Sequence, residues 1–114
     1  MASTRGAAAE AAVARRLARR GWRIAARNWR GGGEELDLVA ERDGVLAFVE
    51  VKARSDPAAL AEPVRAAQAA RLHRAAEAYL ARHPHAGEVR MDLAAVRRIG
   101  PWHRVRVLPG GAAR

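Results

Sequence analysis

Asp37, Glu50 and Lys52 have the residue types and spacing that metal-assisted hydrolysis of a phosphodiester requires. Along residues 45–54 the side chains alternate between two faces. Val45, Ala47, Val49, Val51 and Ala53 share one face, and Leu46, Phe48, Glu50, Lys52 and Arg54 the other. Both faces are apolar over most of their length, the pattern of a central strand covered on each side. Glu50 and Lys52 therefore leave a hydrophobic stripe as neighbours pointing the same way. On the preceding stretch, 35–41, the alternation puts Leu36, Leu38 and Ala40 on an apolar face and Glu35, Asp37, Val39 and Glu41 on the other. A hairpin closing at Asp43-Gly44 brings Asp37 close to Glu50. Two buried carboxylates repel and are costly to desolvate. A hard divalent cation such as Mg²⁺ or Mn²⁺ relieves both penalties.

Lys52 is the only lysine in a chain whose other basic side chains are arginine. A compact ammonium with a tunable pKa offers chemistry that guanidinium does not. Glu10 falls in line with Val13 and Leu17 on the first helix, so it lies on the stripe that packs against the sheet. In the resulting scheme Asp37 and Glu50 hold the metal, and Lys52 orients water or meets developing negative charge. Glu10 ties down a second metal or its waters. Arg30, Arg54, Arg65 and Arg71 clamp phosphates, and the Gly31–Gly33 loop permits close approach of a backbone. Plainer structural accounts stand beside this one. Glu50 and Lys52 also suit a same-face ion pair at a sheet edge, and Glu10 a rim position favoured by the helix dipole.

The elements that must position these residues follow from local signals. Residues 5–20 are Ala-rich and end at Gly21, which predicts a helix with a glycine stop, capped by Ser3 or Thr4. Strands are predicted over 22–29, 35–41, 45–54, 88–97 and 102–108, and a second helix over 63–82 with Pro63 in its first turn. Leu72, Ala76, Tyr79 and Leu80 form the apolar face of that helix. This order predicts a single α/β domain over residues 1–108, a mixed sheet of about five strands flanked by two main helices. Residues 109–114 are predicted to be an unstructured tail.

Composition narrows the function. The net charge is +9 and the pI about 11.6, which points to an anionic polymer such as DNA, although a GC-rich coding bias also raises Arg, Ala and Gly together. Cysteine is absent, so disulfides and Cys-based zinc sites are excluded. No apolar run approaches the ~18 residues of a membrane span, and no signal peptide opens the chain, which predicts a cytoplasmic protein. His73, His83, His85 and His103 form no metal pattern. Trp22, Trp29 and Trp102 read as core or sheet-edge packing rather than base-stacking residues, and Asp92 as support for the site or a solvent-facing acid.

The Asp37…Glu50-Val51-Lys52 arrangement resembles the Asp…Glu-x-Lys signature of the restriction-endonuclease-like superfamily. A longer pattern runs over about residues 6–108. It comprises Glu10 with its Ala-rich helix, Gly21-Trp22-Arg23-Ile24, Arg27-Asn28-Trp29, Glu35 to Ala40, Phe48 to Lys52, Arg71-Leu72 through Tyr79-Leu80, and Met91-Asp92-Leu93. This pattern resembles the YraN family. The resemblance implies a restriction-endonuclease-like fold related to archaeal Holliday-junction resolvases, with Glu10, Asp37, Glu50 and Lys52 as site positions, and a homodimer. Glu34 and Gln68 depart from it, where Gly and Lys are usual. Two functions are expected from these residues. One is a Mg²⁺- or Mn²⁺-dependent nuclease acting on branched or damaged DNA; the other is a non-catalytic module of the same fold that binds nucleic acid or a partner.

Overall fold

A computed structural model describes residues 4–53 and 66–111. The chain runs α1 (Thr4–Arg19), β1 (Arg23–Gly31), β2 (Glu34–Arg42), β3 (Val45–Ala53), α2 (Ala66–Arg82), β4 (Val89–Ile99) and β5 (Trp102–Leu108). The expected capping residue Ser3 and the expected helical start at Pro63 lie outside the described residues. The strands form one sheet in the order β1-β2-β3-β4-β5, antiparallel except for the parallel pair β3–β4 that α2 connects. This is the α/β architecture expected from the sequence, a five-stranded mixed sheet with two helices.

The tight turns follow from backbone freedom. Asp43 and Gly44 both take positive φ, 51° and 81°, as a two-residue turn twisted to match its strands demands, and Arg42 pairs with Val45 across it. Aspartate tolerates this conformation because its short side chain bonds locally, and glycine because it has no Cβ.

Each face of β3 is covered, as its two apolar stripes require. On one face α1 packs Ala9, Ala12, Val13 and Leu17 against Leu38, Ala40, Ala47, Val49, Ala94 and Val96. On the other, α2 packs Leu72, Ala75, Ala76 and Tyr79 against Leu36, Val39, Leu46, Phe48 and Leu93. Tyr79 meets both Trp29 and Phe48 edge-on, with ring centroids 5.3 and 5.6 Å apart, a geometry in which ring edge faces ring quadrupole. Among the described residues no helix is long and apolar enough to cross a membrane.

One expectation fails at β2. Leu36, Leu38 and Ala40 do not share a face: Leu36 joins the α2-side core while Leu38 and Ala40 join the α1-side core. The break falls at one rung, opposite Asn28. Arg27 pairs with Leu38 and Trp29 with Leu36, leaving Asn28 and Asp37 as the rung where the ribbon changes face. Asn28 adopts φ 50°, a left-handed conformation that asparagine accepts more readily than most residues. Strict alternation cannot anticipate such a break.

Asp92 is neither solvent-facing nor part of the acidic site. It is 2% exposed, accepts two 2.9 Å bonds from the Arg90 guanidinium, and accepts a third at 2.9 Å from Gly110 N. Gly111 N donates to Leu108 O, so the turn after β5 is fastened to the sheet; residues 112–114 lie outside the described residues. Removing this carboxylate strands a half-buried guanidinium and a backbone donor. Asp92→Ala should therefore cost about 3–5 kcal/mol in a urea denaturation. A loss below about 1 kcal/mol would show that the pair is structurally idle.

Candidate active site

β2 and β3 run as an antiparallel ladder from their turn to Leu38 opposite Val49, and there it stops, although β2 reaches back to Glu34 and β3 on to Ala53. A continuing ladder would bond Val51 N to the Leu36 carbonyl. Instead Val51 N donates to Asp37 Oδ2 at 2.8 Å. The carboxylate of Asp37 thus sits in the fork between the strands and replaces the missing main-chain acceptor.

Glu50 and Glu10 reach the fork from opposite layers. Glu50 rises from β3 toward α2, where Arg71 Nη2 donates to its Oε1 at 3.1 Å and its Oε2 at 3.0 Å. Lys52 Nζ lies 3.6 Å from Glu50 Oε1, as the same-face spacing predicted. Both charges are withdrawn from water, with 12% of the Glu50 side chain and 20% of Lys52 exposed. Glu10 comes from α1, is buried, and is approached by Asn28, Arg27 and the Asp37 carboxyl. Its Oε1 is buried with no hydrogen-bond partner.

The electrostatics express this crowding. Burial, then the charge of Glu50, pushes Asp37 up from 3.8 to about 6; Glu10 adds to the rise, against the opposing Val51 N–H and Arg71. Burial also raises Glu10, with Glu50 adding to the rise and Asn28 and Arg27 resisting it. The negative charge here is under-compensated, the condition a cation relieves.

The residues fit a divalent cation in kind. All the donors are hard oxygens, and one of them is buried without a partner. They do not form a ready cage: among the described residues no three acidic or histidine side chains stand together as a metal-holding group, and both Glu50 oxygens are taken by Arg71.

Of the expected phosphate contacts, Arg71 is at the site, bound to Glu50. Arg30 pairs with Glu35 in solvent, 3.6 Å away, and Arg54 and Arg65 lie outside the described residues. Glu34, one departure from the family pattern, pairs with Arg74 of α2 at 3.3 Å. His85 shares no metal pattern; its Nε2 lies 2.8 Å from Gly44 O. Sequence reasoning missed Asn28 as a neighbour of Glu10. Its only signal was an asparagine inside a strand, where that residue is depleted.

A model of the uncharacterised protein family UPF0102 matches residues 9–96, a span that holds all four acidic and lysine positions of the fork. The chain belongs to UPF0102. This is the YraN family of the resemblance drawn above. A UPF0102 protein of Rhodopseudomonas palustris is 47% identical over 107 residues, covering 92% of this chain and 80% of the relative. One of Roseiflexus castenholzii is 45% identical over 91 residues, covering 76% and 73%. One from a Synechococcus strain is 46% identical over 98 residues, covering 80% and 73%.

The raised Asp37 gives this chain a pH signature. Below about pH 4 the carboxyl is protonated in both folded and unfolded chains and costs nothing. Between about pH 4 and 6 the unfolded chain ionises while the folded carboxyl still holds its proton, so native stability falls as pH rises, and the penalty is complete above about 6. Asp37→Asn keeps an acceptor for Val51 N. It should match the parent near pH 4 and exceed it by about 2–3 kcal/mol at pH 7.5, by chemical denaturation in EDTA. A difference that does not change with pH would contradict the assigned environment.

Proposed function

We propose that this UPF0102 protein is a metal-dependent nuclease of the cytoplasm that hydrolyses phosphodiesters in DNA, with branched or damaged DNA as its substrate. The observation that carries this reading is the fork itself. Asp37 is caught between Glu10 and Glu50 with its carboxyl raised to about 6, and Lys52 stands beside Glu50. A purely structural ion pair does not call for a third carboxylate beside it with a buried, partnerless oxygen.

Asp37 and Glu50 would hold Mg²⁺ or Mn²⁺, with Glu10 contributing its free oxygen or holding a water. The ion, when bound, supplies Lewis acidity to the scissile phosphodiester. Lys52 would keep its ammonium on the attacking water or on the charge developing at phosphorus. Arg71 would exchange its two bonds to Glu50 for bonds to a phosphate, which a guanidinium accommodates equally well. That exchange would leave the Glu50 carboxylate available to hold the cation. The net charge of +9 favours a polyanion, and two copies in a homodimer would offer paired sites to the paired strands of a junction.

Purified protein with Mn²⁺ should cut a branched DNA, and Lys52→Ala should lower the rate at least about 100-fold while leaving DNA affinity unchanged. Cutting that survives in a Lys52→Ala, Asp37→Ala double variant would refute the mechanism. The engagement of Glu50 by Arg71 favours a second reading, a non-catalytic nucleic-acid-binding or partner-binding module. Calorimetry separates the two: no Mn²⁺ uptake at millimolar metal, alongside salt-sensitive DNA binding, would establish the module.

A further inference from the structure

At the far edge of the sheet, away from the acidic fork, α1 and β5 enclose a groove of about 290 Å³ lined by Arg15, Arg16, Arg19, Trp102 and His103. We propose that this groove binds an unpaired nucleic-acid strand, with the three arginines on phosphates and Trp102 stacked on a base.

Trp102 is the first reason. It stands at the tip of the β4–β5 hairpin and is 74% exposed, whereas Trp22 and Trp29 are partly buried and pack against the two cores. Of the two positions expected for Trp102, this exposure excludes the core and leaves the sheet edge, on strand β5. An indole left in water forgoes a large hydrophobic gain, in a chain with few aromatic side chains to spend. The second reason is charge. Arg15 and Arg19 lie four residues apart on one helical face, a like-charge spacing that weakens a helix. Among the described residues no acidic side chain forms an ion pair with Arg15, Arg16 or Arg19.

Simpler causes account for part of this surface only. The helix dipole favours Arg16 and Arg19 in the last turn of α1, and charges on an edge strand such as β5 discourage sheet-to-sheet association. Neither explains an exposed tryptophan among those charges. A basic channel beside an exposed aromatic ring is how proteins hold single strands: phosphates meet cations and any base can stack on the ring. A duplex keeps its base faces to itself, so the groove suits an unpaired strand.

The test measures binding of a fluorescent 12-nucleotide oligothymidylate in EDTA. With metal removed, this binding and the nuclease reading fail separately. Trp102→Ala should weaken binding about 5- to 100-fold and abolish the quenching of intrinsic fluorescence, while Trp102→Phe, which keeps a ring face, binds within about threefold of the parent. Arg15→Glu with Arg19→Glu should lower the slope of log affinity against log salt by about 1.4, two phosphate contacts' worth. Trp102 is on the surface, so Trp102→Ala should melt with the parent; Arg19→Glu gives up a favourable helix-dipole contact, so the double variant is measured well below its own melting temperature. Affinity within about twofold in both Trp102→Ala and the double arginine variant would overturn the proposal. So would stronger competition by a blunt duplex of the same length than by the single strand.

Discussion

The parting of β2 from β3 after Leu38 and Val49 is the constraint on which the rest of the molecule turns. A ladder that stops leaves a buried donor, and Val51 N would be such a donor without Asp37. By supplying that acceptor from a side chain, the fold places a carboxylate at a depth where carboxylates are expensive. Glu10 can reach it from the α1 layer and Glu50 approaches it from the α2 layer because an open fork, unlike a closed ladder, is accessible from both faces. Local hydrogen-bond necessity and the gathering of acids are one arrangement.

Arg71 shows how the chain tolerates this concentration of charge. Its guanidinium spans both oxygens of Glu50, and Lys52 adds a second cation at 3.6 Å. Glu50 is largely withdrawn from water while Arg71 is partly exposed, so removing Arg71 would leave the carboxylate without the two bonds it receives from that guanidinium. The helix that carries Arg71 also carries Leu72 and Tyr79 into the α2-side core, so the cation is held in place by packing that has no role in charge.

Much of this was legible in the sequence because the signals were local. Two apolar faces on residues 45–54 announced a central strand, Asp43-Gly44 announced the turn, and the spacing of Glu50 and Lys52 fixed their common face. What escaped was non-local or irregular. The left-handed Asn28 turns the β1–β2 ribbon over, and no period-2 pattern encodes where a ribbon flips. Asp92 sits between Met91 and Leu93 like any strand acid, and only the fold shows that Arg90 and the turn at Gly110 close over it. For Trp102 aromatic identity left core and sheet edge both open, and only the hairpin shows that it stands at the edge, in water.

The alanines of the core have a consequence for the site. Ala9, Ala12 and Ala14 of α1 share one buried cluster with Ala40, Ala47 and Ala94 of the sheet, so small side chains make up about half of that interface. Glu10 projects from this same helix and interacts with Asp37, so its reach depends on how α1 is seated on the sheet. The methyl groups act as a gauge block. Swapping Ala12 or Ala47 for valine would lift α1 by a fraction of an ångström and draw Glu10 back from the fork, altering an acidic site through a purely apolar substitution.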